Sequence, residues 1–175
     1  MQFLGIVLMS ILAAVTYGIV HDQITVRVCL EYFTIGHPKV IESQDPTLLG
    51  IVWGVIATWW AGLLLGVPLA VAARIGSRPR RSLRSLLRPI LFLLGVMAGF
   101  AIVSGVIGYM IGSMGTVVLN PEVKNTVPAQ KWAAFQACWF AHTMSYNVAF
   151  VGGGMTIAWV WVNRKRLHPP ITPRR

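Results

Sequence analysis

The chain has 175 residues, 55% apolar and only 11% charged, with 15 Lys and Arg against five Asp and Glu for a net charge of +10. Ordinary soluble domains carry about 25% charged residues, so this composition excludes an acidic disordered chain and argues against a typical soluble enzyme. A nucleic-acid binder spreads its basic charge over polar surface; here the charge stands in short blocks between long apolar runs, as it does in membrane proteins.

Crossing a bilayer as a helix takes about 20 mostly apolar residues, and four stretches meet that length. The first runs from about Gln2 to Val20 without a charge. It lacks a basic n-region and is longer than the apolar core of a signal peptide, so a retained helix is expected rather than a cleaved leader. The loop over 21–45 follows, with Arg27 and Lys39 against Asp22, Glu31, Glu42 and Asp45. Within it Ile24, Val26, Val28, Leu30 and Tyr32 alternate with Thr25, Arg27, Cys29 and Glu31. That period of two predicts a short extended segment, with a surface helix as the alternative, and Gly36 and Pro38 end it either way.

The second span covers 46–73, with Pro46 suited to a first helical turn and Pro68 expected to kink or end it. The loop 74–88 holds Arg74, Arg78, Arg80, Arg81, Arg84 and Arg88 and no acid. The third span covers 89–119, opening on Pro89, and a loop over 120–131 leads to the fourth span, 132–162. The basic tail 163–175 has Arg164, Lys165, Arg166, Arg174 and Arg175. Under the positive-inside rule the Arg loop and tail are cytoplasmic. The expectation is one integral membrane domain over 1–175. It is an all-α four-transmembrane-helix bundle in a cell membrane (the bacterial inner membrane), with both termini inside and an ordered external loop between the first two helices. The Arg blocks read as topogenic charge beside anionic lipid headgroups rather than as a nucleic-acid site.

Small residues at a separation of four let helix backbones approach within lipid. Gly50/Gly54, Gly62/Gly66, Gly95/Gly99 and Gly108/Gly112 have that spacing. They are expected to pack a compact unit, with contact to a second copy or a membrane protein partner as the alternative. Trp132 and Trp139 fit one membrane interface and Trp159 and Trp161 the other, while Trp59 and Trp60 are expected in the core.

The chemistry-bearing residues gather on the outer side. His21 ends the first span, and His142 falls at a similar depth in the fourth, because about 20 residues separate the outer edge from Arg164. His37 is in the loop, and Asp22 and Glu31 add carboxylates. Cys138 and His142 share a helix face, as do Tyr17 and His21, and Tyr146 extends the His142 face one turn deeper. His21, Asp22, Glu31, His37 and His142 are therefore candidate ligands for zinc, iron or manganese. The competing reading makes them interfacial residues hydrogen-bonded to protein. Haem on His21 and His142 is a further possibility, and proton transfer by Asp22 or Glu31 beside His37 another. The distance between the His21 and His142 rings decides: within about 7 Å they can share one ion. Cys29 and Cys138 can bridge the loop to the fourth span or remain thiols. Ser104, Ser113, Asn147 and Thr156 are poor lining for a channel.

The loop, with Trp59-Trp60 and the Ala141-His142…Ser145-Tyr146 segment, resembles a group of small bacterial four-span membrane proteins with an HDQ…EYF…GHP signature. Here these are His21-Asp22-Gln23, Glu31-Tyr32-Phe33 and Gly36-His37-Pro38. The resemblance brings no activity with it. The composition and spans favour a non-catalytic accessory or binding component of a membrane assembly. The alternative is a small membrane enzyme or redox protein built on the outer His and carboxylate groups.

Overall fold

A computed structural model describes residues 1–164, so the basic tail from Lys165 onward lies outside the described residues. All regular structure among them is helical: α1 (Gln2–Val28), α2 (Leu30–Thr34), α3 (Pro46–Arg74), α4 (Leu83–Ser113), α5 (Pro121–Thr126), a 3-10 turn (Ala129–Lys131) and α6 (Trp132–Asn163). Three of them, α1, α3 and α4, are long and apolar enough to cross a membrane. These three long apolar helices fit an integral membrane protein.

The long helices pack chiefly as two pairs, α1 on α3 and α4 on α6, with α3 and α6 joining the pairs. Glycine sets the closeness of the first pair. A Cβ on Gly54 would fall 2.5 Å from the Ile19 backbone, and one on Gly62 would fall 2.7 Å from Ile11 Cα. Gly108 and Gly112 do the same on α4 against Phe140 and Ala133 of α6. Gly95 and Gly99 differ: nothing lies within 4 Å of a Cβ at either.

At one end of the molecule the arginine-rich loop is folded around Arg164, which is fully buried. Its guanidinium donates to the carbonyls of Ala72, Ile75, Arg78 and Pro79 at 2.6–2.9 Å. Two of these carbonyls close the C-terminus of α3, where a cation also meets the negative end of the helix dipole. Arg78 lies over the Trp161 ring, and Arg81 faces Trp159.

At the opposite end α3 begins on Asp45, whose carboxylate accepts from the Leu48 N–H, with Pro46 in the first turn. Gln136, fully buried on α6, donates to the Gly108 and Thr116 carbonyls and accepts from Val118 N–H. It thereby pins the segment that leaves α4.

Several expectations change. The alternating run after His21 is not extended: α1 continues through it to Val28, and α2 follows after one extended residue, Cys29. A lone strand would leave its backbone donors and acceptors unpaired, whereas a helix satisfies them internally. The first span's helix thus outruns its expected end at residue 20. The third begins at Leu83 and ends at Ser113, so Pro89 lies inside it rather than opening it. Gln2 Oε1 accepts from the Leu83 N–H and so supports the earlier start. Pro68 does not end α3; Leu69, Ala70, Ala72 and Ala73 beyond it are buried against Ile6 and Val7 of α1 and Val160 of α6, which holds the helix past the missing bond. Trp59 and Trp60 are 47% and 39% exposed rather than core, and Trp53 is the buried indole of that helix.

Candidate metal centre

α1, which carries His21 and Asp22, and α6, which carries His142, meet at the end opposite the arginines. The Gly18–Gly54 contact draws α1 against α3, and α1 then leans on α6 through its last two turns. There Asp22 is only 4% exposed. Its Oδ1 lies 3.1 Å from His142 Nε2. The other ring nitrogen of His142, Nδ1, is 2.7 Å from the Cys138 carbonyl one turn back on its own helix. The His21 ring meets the His142 ring edge-on, with centroids 4.5 Å apart, and is stacked on Tyr17. One ligand atom from each of His21, Asp22 and His142 lies within 4.8 Å of the other two.

Hydrogen-bond accounting makes this cluster unusual. Both nitrogens of His142 face acceptors, a carbonyl and a carboxylate, so a proton must sit between His142 Nε2 and Asp22. His21 Nε2 is buried and has no hydrogen-bond partner among the described residues. A buried polar atom left unpaired costs about 1–3 kcal/mol, and each such atom in a native structure asks for an explanation. The ring distance is inside the range at which one ion can be shared. The same edge contact leaves no gap for a haem plane between the two rings.

The remaining candidates are held elsewhere. Glu31 lies 3.4 Å from the Lys131 ammonium and accepts from the Cys29 thiol. Burial pushes its carboxyl up, but bonds from its own backbone N–H and the thiol, together with Lys131, outweigh this and leave it below its ordinary value. His37 donates through Nδ1 to the Tyr32 carbonyl, 2.7 Å away, and packs on Phe33 and Trp53. Burial lowers its pKa, partly offset by the carbonyl contact. Tyr32 separates it from His142, with ring centroids at 4.8 and 4.7 Å. Glu31 and His37 therefore stand in the cap over the cluster, outside the group formed by His21, Asp22 and His142. Cys29 and Cys138 are free and buried. The Cys138 thiol donates to the Thr25 carbonyl, and burial pushes the Cys29 thiol up to about 11.

Each triplet of the loop signature has an anchor. Gln23 donates to the Thr47 carbonyl beside His21 and Asp22. Tyr32 and Phe33 are buried, and Gly36 packs so close to Phe135 and the Tyr32 carbonyl that a Cβ would fall within 2.8 Å of both.

Below the cluster lies an apolar cavity of about 110 Å³ between all four long helices, with His21, Asp22 and His142 at one end. Tyr17 and Ser145 hydrogen-bond across it at 2.8 Å, and Tyr146 donates to the Ala57 carbonyl. The sequence marks Ser145 only through the segment it shares with His142 and Tyr146, and its partnership with Tyr17 emerges only in three dimensions. No family model, curated protein or solved structure matches the chain.

Proposed function

We propose that the chain is a four-span integral membrane protein, a single domain, that carries a transition-metal centre on His21, Asp22 and His142 at its outer face. In this reading α6, 32 residues long and packed along α4, is the fourth span. The arginine-rich end lies in the cytoplasm beside anionic lipid headgroups, with both termini there.

The carrying observation is the convergence of two imidazoles and one carboxylate, with His21 Nε2 buried and unpaired. Zinc, iron and manganese all accept this donor set. At a tetrahedral angle, bonds of about 2.0–2.2 Å set ligand atoms about 3.3–3.6 Å apart, so side-chain shifts of about 1 Å would gather the three atoms, which lie within 4.8 Å of one another. His142 Nε2 and Asp22 would hold the ion in place of the proton they share, and the Cys138 carbonyl would keep His142 oriented through Nδ1, as outer partners of ligating histidines do. Three protein ligands leave positions for water or substrate, which suits a metal that activates water or exchanges electrons better than a structural one.

The purified protein in detergent tests this. Near-stoichiometric metal is expected by elemental mass spectrometry, and its loss in the His21→Ala, His142→Ala double variant. A metal-free wild-type chain that takes up no added zinc, iron or manganese ends the reading. Membrane placement is tested separately: resistance to alkaline carbonate extraction, and terminal tags shielded from protease in intact spheroplasts.

The accessory reading keeps one specific support. Gly95 and Gly99 form an open small-residue face on α4 that no described part of the chain covers. Such a face suits a helix from a membrane partner or a second copy. Cross-linking lost in a Gly95→Leu, Gly99→Leu variant with unchanged metal content favours it.

A further inference from the structure

A second hollow adjoins the metal centre. It is a groove of about 410 Å³ between α1, α4 and the first half of α6, and Tyr17 and His21 line both this groove and the central cavity. It exists because α1 and α4 belong to different helix pairs and touch each other little. Its floor is made of small side chains, Ala101, Gly105, Ala137 and Ala141. Its rim is apolar and turned outward: Ile24 is 59%, Ile102 65% and Val106 53% exposed. The volume falls within the range of small-molecule sites, about 300–1,000 Å³.

The charge of the lining selects the occupant. None of the described residues lining the groove is Asp, Glu, Lys or Arg. A phosphate or carboxylate headgroup would enter with no cation to meet it, at a large desolvation cost. The polar groups present are the Thr25 hydroxyl, the Cys138 thiol, the His21 ring and the Tyr17 phenol toward the inner wall, and the Tyr109 phenol, 51% exposed, at the rim. Apolar rim, small-residue floor and uncharged polar end together describe a site for a tail that leads to an uncharged, hydrogen-bonding head.

We infer that this groove binds a neutral amphiphile from the outer leaflet, its apolar tail between α1 and α4 and its carbonyl- or hydroxyl-bearing head against His21. This rests on the membrane and metal reading above, because it supplies the substrate class that reaches the His21–Asp22–His142 centre. A prenyl-type quinone and a neutral glycerolipid share that chemistry.

Binding to the full chain in detergent, measured by calorimetry, tests it with a decyl-benzoquinone, a monoacylglycerol and palmitate as probes. One neutral probe is expected to saturate at one molecule per chain, and whichever binds identifies the source. Val106→Trp, a change at an exposed rim position, is expected to abolish binding with metal content and melting temperature unchanged. His21→Ala is expected to weaken binding by about tenfold through loss of the head contact. The inference is overturned if neither neutral probe saturates, if Val106→Trp binds as tightly as the parent, or if palmitate binds as well as the neutral probes. Metal content is read on the same samples. A chain that binds the amphiphile without metal refutes the centre and keeps the groove; a chain with metal and no amphiphile does the reverse.

Discussion

His142 and Asp22, 120 positions apart, face each other across α6 and α1 with 3.1 Å between Nε2 and Oδ1. The Cys138 carbonyl occupies the imidazole's other nitrogen, so the ring is held in one orientation from both sides. Asp22→Ala leaves the imidazole Nε2 unpaired in a buried site and is expected to cost about 1–3 kcal/mol, read as a lowered melting temperature in detergent. Asp22→Asn supplies an amide donor to a neutral ring and is expected to retain most of that stability while losing the metal. Equal damage from both substitutions would show that the carboxylate is needed for folding and not for ligation.

The cap above the cluster should respond to acid through His37. Its folded pKa is below the ordinary 6.5 because burial disfavours the imidazolium. The opened cap therefore binds a proton more readily than the closed one, so the stabilisation is complete above pH 6.5 and erodes as pH falls below it. Hydrogen exchange over residues 30–42 is expected to accelerate on acidification through that window. His37→Gln should flatten the response; an unchanged profile in that variant would assign it to another group.

Gly54 and Gly95 make a matched pair of tests, since both occupy small-residue stripes of equal spacing. At Gly54 a Cβ meets Ile19 backbone at 2.5 Å, with no flexible end to give way. Gly54→Ala is expected to force α1 and α3 apart and cost about 1–3 kcal/mol. Gly95→Ala meets open space and should leave the monomer as stable or raise it by about 0.5–1 kcal/mol. Thermal unfolding of the two variants side by side decides between these outcomes.

Arg164 should be the most sensitive residue at the opposite end. Its guanidinium reaches four carbonyls through three nitrogens, a fan that a lysine ammonium cannot reproduce. Arg164→Lys is expected to recover less than half of the stability lost in Arg164→Met, a loss of about 3 kcal/mol or more. Increased protease cleavage within 75–82 would accompany both. Full rescue by lysine would mean that charge at the end of α3, and not the hydrogen-bond geometry, holds the loop.

The sequence by itself determined the solvent-facing chemistry of the long helices. Runs without charge such as Gln2–Val20 leave no other economical element, and Asp45-Pro46 states where α3 begins because cap and first turn are local interactions. It also brought His21, Asp22 and His142 to one depth, since rise per residue converts counting into position along a helix. Depth is one coordinate; rotation about each axis and the choice of neighbours are the others, and these depend on close packing between distant residues. Gly18 against Gly54 sets how α1 turns, and that turn sends Asp22 inward while Glu31 finds Lys131 and His37 folds onto Tyr32. The extended reading of 24–32 failed for the same reason: side-chain alternation is a local signal, while a strand needs a partner strand that only the assembled fold can supply.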